Sequence, residues 1–305
     1  MKKQKKQLMN SRFLALIAAF MVQIIYGFTF TFANDVIDGG YVRPYGFILL
    51  RTLIATLLFW ILACFTPQQK IDKKDFKTFF FASFFGMVLN MLTFFKGLEF
   101  TTPIHASVIM TAVPIIVLVM SSIYLSERVT KLRVMGIIAG FSGALILSLY
   151  GKSSQQGDDI LLGNALVFVN AVSYAIYLII IKKLTYKYHP FTFIKWLFLF
   201  GTVMTIPFGL NEALAIDYST FSGYTYFSIA FVILGATFGT YLLNPLAMTK
   251  LKASTIGTFL YLQPFVAGAF AIFMGSDSLD GVKIIAALLI FSGVFLVSLK
   301  TKPIN

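Results

Sequence analysis

The sequence predicts an all-α integral membrane protein with ten transmembrane helices in two five-helix halves of opposite orientation. Three observations carry that prediction. First, 58% of the residues are hydrophobic and only 12% charged, with a mean hydropathy of +0.84. Soluble domains carry about 25% charged residues, so this chain is short of the groups that keep a surface wet. Its natural unit is the span of roughly 20 apolar residues. Second, the stretch 103–149 holds an apolar segment with Pro114, a polar turn Ser126-Glu127-Arg128 and a second apolar segment, and it returns at an offset of 150. Pro114 becomes Pro264, Ser126-Glu127 becomes Ser276-Asp277, and Phe141-Ser142-Gly143 becomes Phe291-Ser292-Gly293. A hydrophobic hairpin repeated at half the chain length reads as duplication of a membrane unit. Third, the basic residues gather in alternate loops.

Taken in order, the spans cover about 12–33, 44–65, 76–98, 102–123, 131–150, 160–182, 191–212, 224–248, 253–274 and 281–299. The first could be mistaken for a signal peptide, because Lys2, Lys3, Lys5 and Lys6 precede an apolar run. That run is long for an h-region, Gln23 and Tyr26 interrupt it, and 164–181 is its counterpart, so it reads as a span. With the N-terminus inside, the outer segments hold only Arg43, Lys96, Lys152 and Lys283 as basic residues, while Lys70–Lys77, Arg128–Arg133 and Lys182–Lys195 all fall inside. A bias of that kind sets orientation, which predicts both termini in the cytoplasm and residence in the inner or plasma membrane. Five spans per half is an odd number, so the second half, 151–305, inserts upside down relative to the first, 1–150. The loops record it: the basic loop 126–133 corresponds to 276–283, which has lost most of its positive charge, and basic 70–77 to the basic-free 211–221. Opposed halves suit an alternating-access carrier with its site at the midplane.

Composition also excludes. The net charge of +13 is spread through loops rather than one face, so nucleic acid is not an expected partner. Cys64 is the sole cysteine, which leaves no disulfide, zinc or CxxC chemistry within the chain. No P-loop, HExxH or GxSxG is present, and His105 and His189 lie at opposite membrane faces. The chain therefore reads as neither an ATP-driven pump nor an enzyme, with no cofactor and no metal. No Asp or Glu falls in the middle of a span, so a carboxylate proton relay has nothing to run on. A facilitator, an exchanger, or coupling through His105 remains.

The candidate site consists of polar residues at span midpoints, which must find a partner or line a cavity. Gln23 and Tyr26 share a face of the first span, as do Asn90 and Thr93 in the third and Asn170, Tyr174 and Tyr177 in the sixth. Asn244, beside Tyr241, lies in the eighth; Tyr261, Gln263 and Pro264 sit at the centre of the ninth. Amides and phenols can bond both an ammonium and a carboxylate without fixing a net charge, which suits a zwitterion. Each one singly reads as helix–helix glue, worth about 0.6 kcal/mol; the group reads as a pathway. Arg51, a permanent cation inside the second span, is either an anion anchor or a structural cation. Pro114 and Pro264 are expected kinks, serving either rocking or packing. Lys96 and Glu99, three apart, are expected to pair at the outer boundary.

With these residues in place, the chain resembles the drug/metabolite transporter superfamily, in particular its ten-span EamA-type members. The resemblance rests on the tandem hairpins with Pro114 and Pro264, the turns with Glu127-Arg128 and Asp277, and the small residues Gly136, Gly140, Gly143, Ala286, Ala287 and Gly293. It rests also on Tyr26-Gly27, Pro44 and Arg51. The second turn departs from the Glu-Arg type and receives no separate role. The resemblance implies a membrane carrier of small molecules, with export of amino acids or related metabolites foremost. A carrier of anionic metabolites such as nucleotide sugars would want more basic residues than Arg51. A membrane receptor or scaffold would want a soluble domain or long tail, for which neither terminus leaves room.

Overall fold

Proline and short polar residues set where helices begin. Pro44 and Pro190 open their helices from extended residues, where a missing N–H costs nothing. Asp159 and Ser222 accept from Leu162 N at 3.1 Å and Thr225 N at 3.1 Å, as N-caps should. The computed structural model describes residues 2–66, 68–101, 106, 109–150, 159–273 and 281–299. Among these residues there is no strand. His105, Lys152 and Asp277 lie outside them, as does the side chain of Glu99, and with it the expected pairing to Lys96.

The helices are α1 (Lys2–Asp38), α2 (Pro44–Cys64), α3 (Asp75–Ser83), α4 (Leu89–Phe100), α5 (Val113–Tyr124), α6 (Lys131–Tyr150) and α7 (Ile160–Lys187). They continue with α8 (Pro190–Leu214), α9 (Gly223–Ala230), α10 (Thr240–Met248), α11 (Ala253–Phe259), α12 (Leu262–Phe273) and α13 (Gly281–Ser298). Two π-helical segments, Phe84–Val88 and Phe231–Gly239, join α3 to α4 and α9 to α10 into continuous rods. Seven helices among the described residues are long and apolar enough to cross a membrane. The expected ninth span is divided: α11 stops and α12 starts across 260–261, and α5 begins after a similar turn at 111–112. Short i→i−3 bonds close both turns, Ala112 N to Ile109 O at 3.0 Å and Tyr261 N to Thr258 O at 3.2 Å. Pro114 and Pro264 therefore sit in the first turn of a new helix, where their missing donor is an orphan in any case. The expected kinks take the form of interruptions.

The bundle is apolar on the outside. Leu57, Ile61, Leu288 and Phe295 are all more than half exposed, as a lipid-facing surface requires. The chain is a multi-pass membrane protein. Helix α2 packs along α8, α6 along α13, and α4 along α7, while α1 lies against α10 and α12, and α5 against α7 and α11. Small residues let α6 and α13 meet closely: Gly136 faces Gly293, Gly143 faces Ala286 and Ile290, and Gly293 stands against the Gly140 backbone, while Gly140 itself makes room for the Tyr261 ring. Hydroxyls tie α2 to α8 through Thr56 and Thr202, 2.8 Å apart. Aromatic rings then lead inward: Phe59 to Phe198 at 4.7 Å, Phe198 to Tyr241 at 5.1 Å, Tyr241 to Tyr177 and Tyr177 to Tyr174 at 5.9 Å each.

Candidate substrate site

The site draws on the interrupted helix, which α1 packs against, and on the two π segments, the first packed on α7 and α8 and the second on α1 and α2. Gly27 allows α1 to approach α12; a Cβ there would stand 2.6 Å from Val266 Cβ. That approach brings Gln23 one helical turn away to Gln263, whose Nε2 donates to Gln23 Oε1 at 2.9 Å. Gln23 is fully buried, and its own Nε2 has no partner. Tyr261, in the turn between α11 and α12, buries its hydroxyl without a hydrogen bond. Interrupted backbone at membrane depth is tolerated where protein buries it or where it lines a polar cavity.

A π turn frees carbonyls that an α-helix would use; the first segment hands its own to side chains from other helices, and the second to threonines of its own rod. In the first, Ser173 Oγ donates to Phe85 O at 2.6 Å and Tyr241 Oη to Gly86 O at 2.8 Å. The Tyr177 ring packs against Gly86, where a Cβ would stand only 2.2 Å from Tyr177 Cδ2. One turn further, Asn170 Nδ2 donates to Asn90 O at 2.7 Å, which points Asn170 Oδ1 inward without a partner. In the second segment, Thr237 Oγ1 donates to Val232 O at 3.0 Å and accepts from Arg51 Nε at 3.0 Å. Thr240 Oγ1 lies 2.6 Å from Ala236 O and 3.0 Å from Tyr26 Oη. Tyr26 and Tyr241 are the electrostatic neighbours of Arg51 and of Tyr174, and Tyr174 faces Asn244.

Among the described residues, seven buried side-chain atoms lack a hydrogen-bond partner, and five belong to Gln23, Asn170, Tyr174, Asn244 and Tyr261. Each such atom costs about 1–3 kcal/mol, so each calls for an explanation. Not every expected residue joins it. Thr93 turns its hydroxyl back to Leu89 O at 2.6 Å and lines a separate cavity of about 210 Å³ with Tyr45, Leu92, Lys96, Leu166 and Phe208. Asn90 contributes chiefly its carbonyl.

Sequence reasoning passed over several residues. Thr237 and Thr240 extend the pair Tyr241 and Asn244 into a stripe at helical spacing, a signal that was available. Glu127 had none beyond its turn. It is buried, and its Oε1 accepts from Ala253 N at 2.8 Å and its Oε2 from Ser254 Oγ at 2.5 Å. It caps the N-terminus of α11 from a loop 126 residues earlier in the chain. Arg133 Nη1 stands 3.6 Å from Glu127 Oε2 and donates to Arg128 O at 3.0 Å. At the same end of the bundle, Lys182 Nζ donates to Met248 O at 2.5 Å and Leu251 O at 2.8 Å, and Arg12 Nη2 to Ser298 O at 2.7 Å. Lys187 pairs with Asp72 and Asp75. Burial pulls the loop residue Lys252 below the ordinary lysine pKa; Arg133 adds to the shift and Glu127 opposes it. The basic end of the bundle is thus tied across by polar contacts.

The sequence profile of the EamA-like transporter family matches residues 13–149 and again 161–299. A Bacillus subtilis (strain 168) protein named uncharacterized transporter YetK is 25% identical over 83% of this chain and 78% of its own. An Archaeoglobus fulgidus protein named uncharacterized transporter is 30% identical over 74% of this chain and 78% of its own. A solved crystal structure superposes with a TM-score of 0.76 at 15% identity, covering 92% of this chain and 95% of that one. That likeness is one of fold.

Proposed function

Because the chain belongs to the EamA-like transporter family, we propose that it is an alternating-access carrier that moves a small polar or zwitterionic metabolite, with export of amino acids or related metabolites foremost. The observation that carries this reading is the set of five unpartnered buried polar atoms, on Gln23, Asn170, Tyr174, Asn244 and Tyr261 from both chain halves, with the Gln23–Gln263 hydrogen bond joining the halves. Amide and phenol groups held at the meeting of two halves can bind a polar solute and release it when the halves rock.

The architecture we propose is ten spans in two inverted halves, 1–150 and 151–305. Helix packing supports it: α2 with α8 and α6 with α13 are pairs that an exchange of halves leaves in place, and α1 with α12 mirrors α7 with α5. The π segments at 84–88 and 231–239 and the interruptions at 111–112 and 260–261 recur near one offset. The basic loops support cytoplasmic termini and a plasma or inner membrane location.

The test is exchange of labelled amino acids across proteoliposomes, with and without a pH gradient. Exchange is expected without the gradient, since no carboxylate lies mid-span. Gln23→Ala and Gln263→Ala are each expected to reduce exchange at least tenfold, while their thermal stability falls by the ~0.6 kcal/mol typical of one interhelical hydrogen bond. Loss of folding in step with loss of flux would assign the pair to packing.

A further inference from the structure

Three cations are buried among the described residues: Arg51, Arg133 and Lys182. Arg133 stands beside Glu127, and Lys182 donates to two backbone carbonyls. Arg51 has neither kind of partner. Its Nε donates to the Thr237 hydroxyl at 3.0 Å, and among the described residues no carboxylate lies within ion-pair distance and no acceptor meets Nη1 or Nη2. Arg51 as a residue is 8% exposed, and its Nη groups are not among the fully sealed unpartnered atoms, so they keep some accessible surface. Snorkelling does not account for it. Arg51 is the eighth residue of α2, about 10 Å along the helix from its start, and it turns toward the π segment rather than the membrane surface. Removing a charge from water without a counter-charge costs several kcal/mol, and a helix–helix contact offers no return for that.

We propose that Arg51 is the carboxylate anchor of the transport site, so that the solute carried is a small organic acid with a free carboxyl group, α-amino acids foremost. This rests on the carrier reading above. The planar guanidinium presents Nη1 and Nη2 as a fork that matches the two oxygens of one carboxylate. The surroundings fit the other end of an amino acid. Thr237, which Arg51 bonds, lies on the same rod as Thr240, Tyr241 and Asn244; Thr240 bonds Tyr26, and the Tyr241 ring leads through Tyr177 to Tyr174 at 5.9 Å per step. There, Asn244 Oδ1 and Asn170 Oδ1 are buried acceptors without a donor, suited to an ammonium group. The Asn170 oxygen is oriented by its own Nδ2, which Asn90 O holds. A single cation with neutral neighbours suits one carboxylate and not a diphosphate.

The experiment compares exchange of labelled L-amino acids with that of their carboxamides, in which a neutral amide replaces the carboxylate at nearly constant shape. Wild type, Arg51→Gln and Arg51→Lys are reconstituted, and the Tm of each solute-free protein is measured in detergent. Wild type is expected to exchange acids and not carboxamides. Arg51→Gln is expected to lower acid exchange about ten- to a hundredfold, as for loss of a charge-assisted pair, and to bring acid and carboxamide to parity, with Arg51→Lys between. The solute-free Tm of Arg51→Gln is expected at or above wild type, since an unbalanced buried charge has been removed. Exchange of carboxamides as fast as acids by wild type leaves the carrier standing and overturns the anchor. So does discrimination that survives in both variants. A variant that cannot be purified, or whose Tm falls while Arg51→Lys exchanges acid and carboxamide as wild type does, assigns Arg51 to the fold. If wild type exchanges no solute at all, the carrier reading fails, and a fall in Tm for Arg51→Gln then overturns the anchor independently.

Discussion

Glu127→Ala is the perturbation whose size the geometry defines best. The carboxylate holds Ala253 N at 2.8 Å, Ser254 Oγ at 2.5 Å and Arg133 Nη1 at 3.6 Å, with Glu127 only 7% and Arg133 5% exposed. Truncation leaves a helix-terminal N–H and a buried hydroxyl without their acceptor, at about 1–3 kcal/mol each. It also leaves a buried guanidinium unbalanced, for which about 3–5 kcal/mol is usual when one partner is removed. These terms overlap, and the Arg128 carbonyl still accepts from Arg133 at 3.0 Å, so a net loss of about 3 kcal/mol is expected. Glu127→Gln keeps one acceptor and loses the charge, so it should fall between. Arg133→Met in the Glu127→Ala background should recover part of the loss, because it removes the stranded charge. Unfolding followed by intrinsic fluorescence reads the order of stabilities. A second readout follows the tie itself: Thr255→Cys, in a Cys64→Ala background, is 4% exposed at the native position. It should react with a thiol reagent about a hundredfold faster when Glu127 is truncated, the factor that corresponds to about 3 kcal/mol. Wild-type Tm and labelling in Glu127→Ala, or identical behaviour of the Ala and Gln variants, would refute the reasoning.

Two further outcomes follow from close contacts. Gly86→Leu drives a side chain into the Tyr177 ring; overpacking of this kind costs about 1–3 kcal/mol, so Tm should fall, and Tyr177→Ala in the same chain should restore part of it. Lys182→Met strands the carbonyls of Met248 and Leu251, at about 1–3 kcal/mol for unsatisfied buried groups. Thermal unfolding should show that loss, and Lys182→Gln, which keeps a donor, should show less of it.

Hydropathy, the offset of 150 and the distribution of lysine and arginine are local or one-dimensional properties, so they are legible without coordinates. They suffice for an all-helical multi-pass membrane protein, for most helix limits and for membership of its family. Periodicity also puts Gln23 with Tyr26, and Asn170 with Tyr174, on shared helix faces. Nothing local says what those faces meet. That Gln23 reaches Gln263, that Asn170 bonds the backbone at Asn90 while Thr93 turns away to its own helix, and that Arg51 donates to a threonine hydroxyl were decided by packing between segments far apart in the chain. The π segments escaped notice because a hydrophobic pattern cannot register one extra residue in a turn when every neighbour is apolar. Glu127 escaped for another reason: its partner is a helix end formed more than a hundred residues later. A backbone N–H becomes a binding group only where the folded chain brings a carboxylate to it, so the sequence alone could name the acid but not its partner.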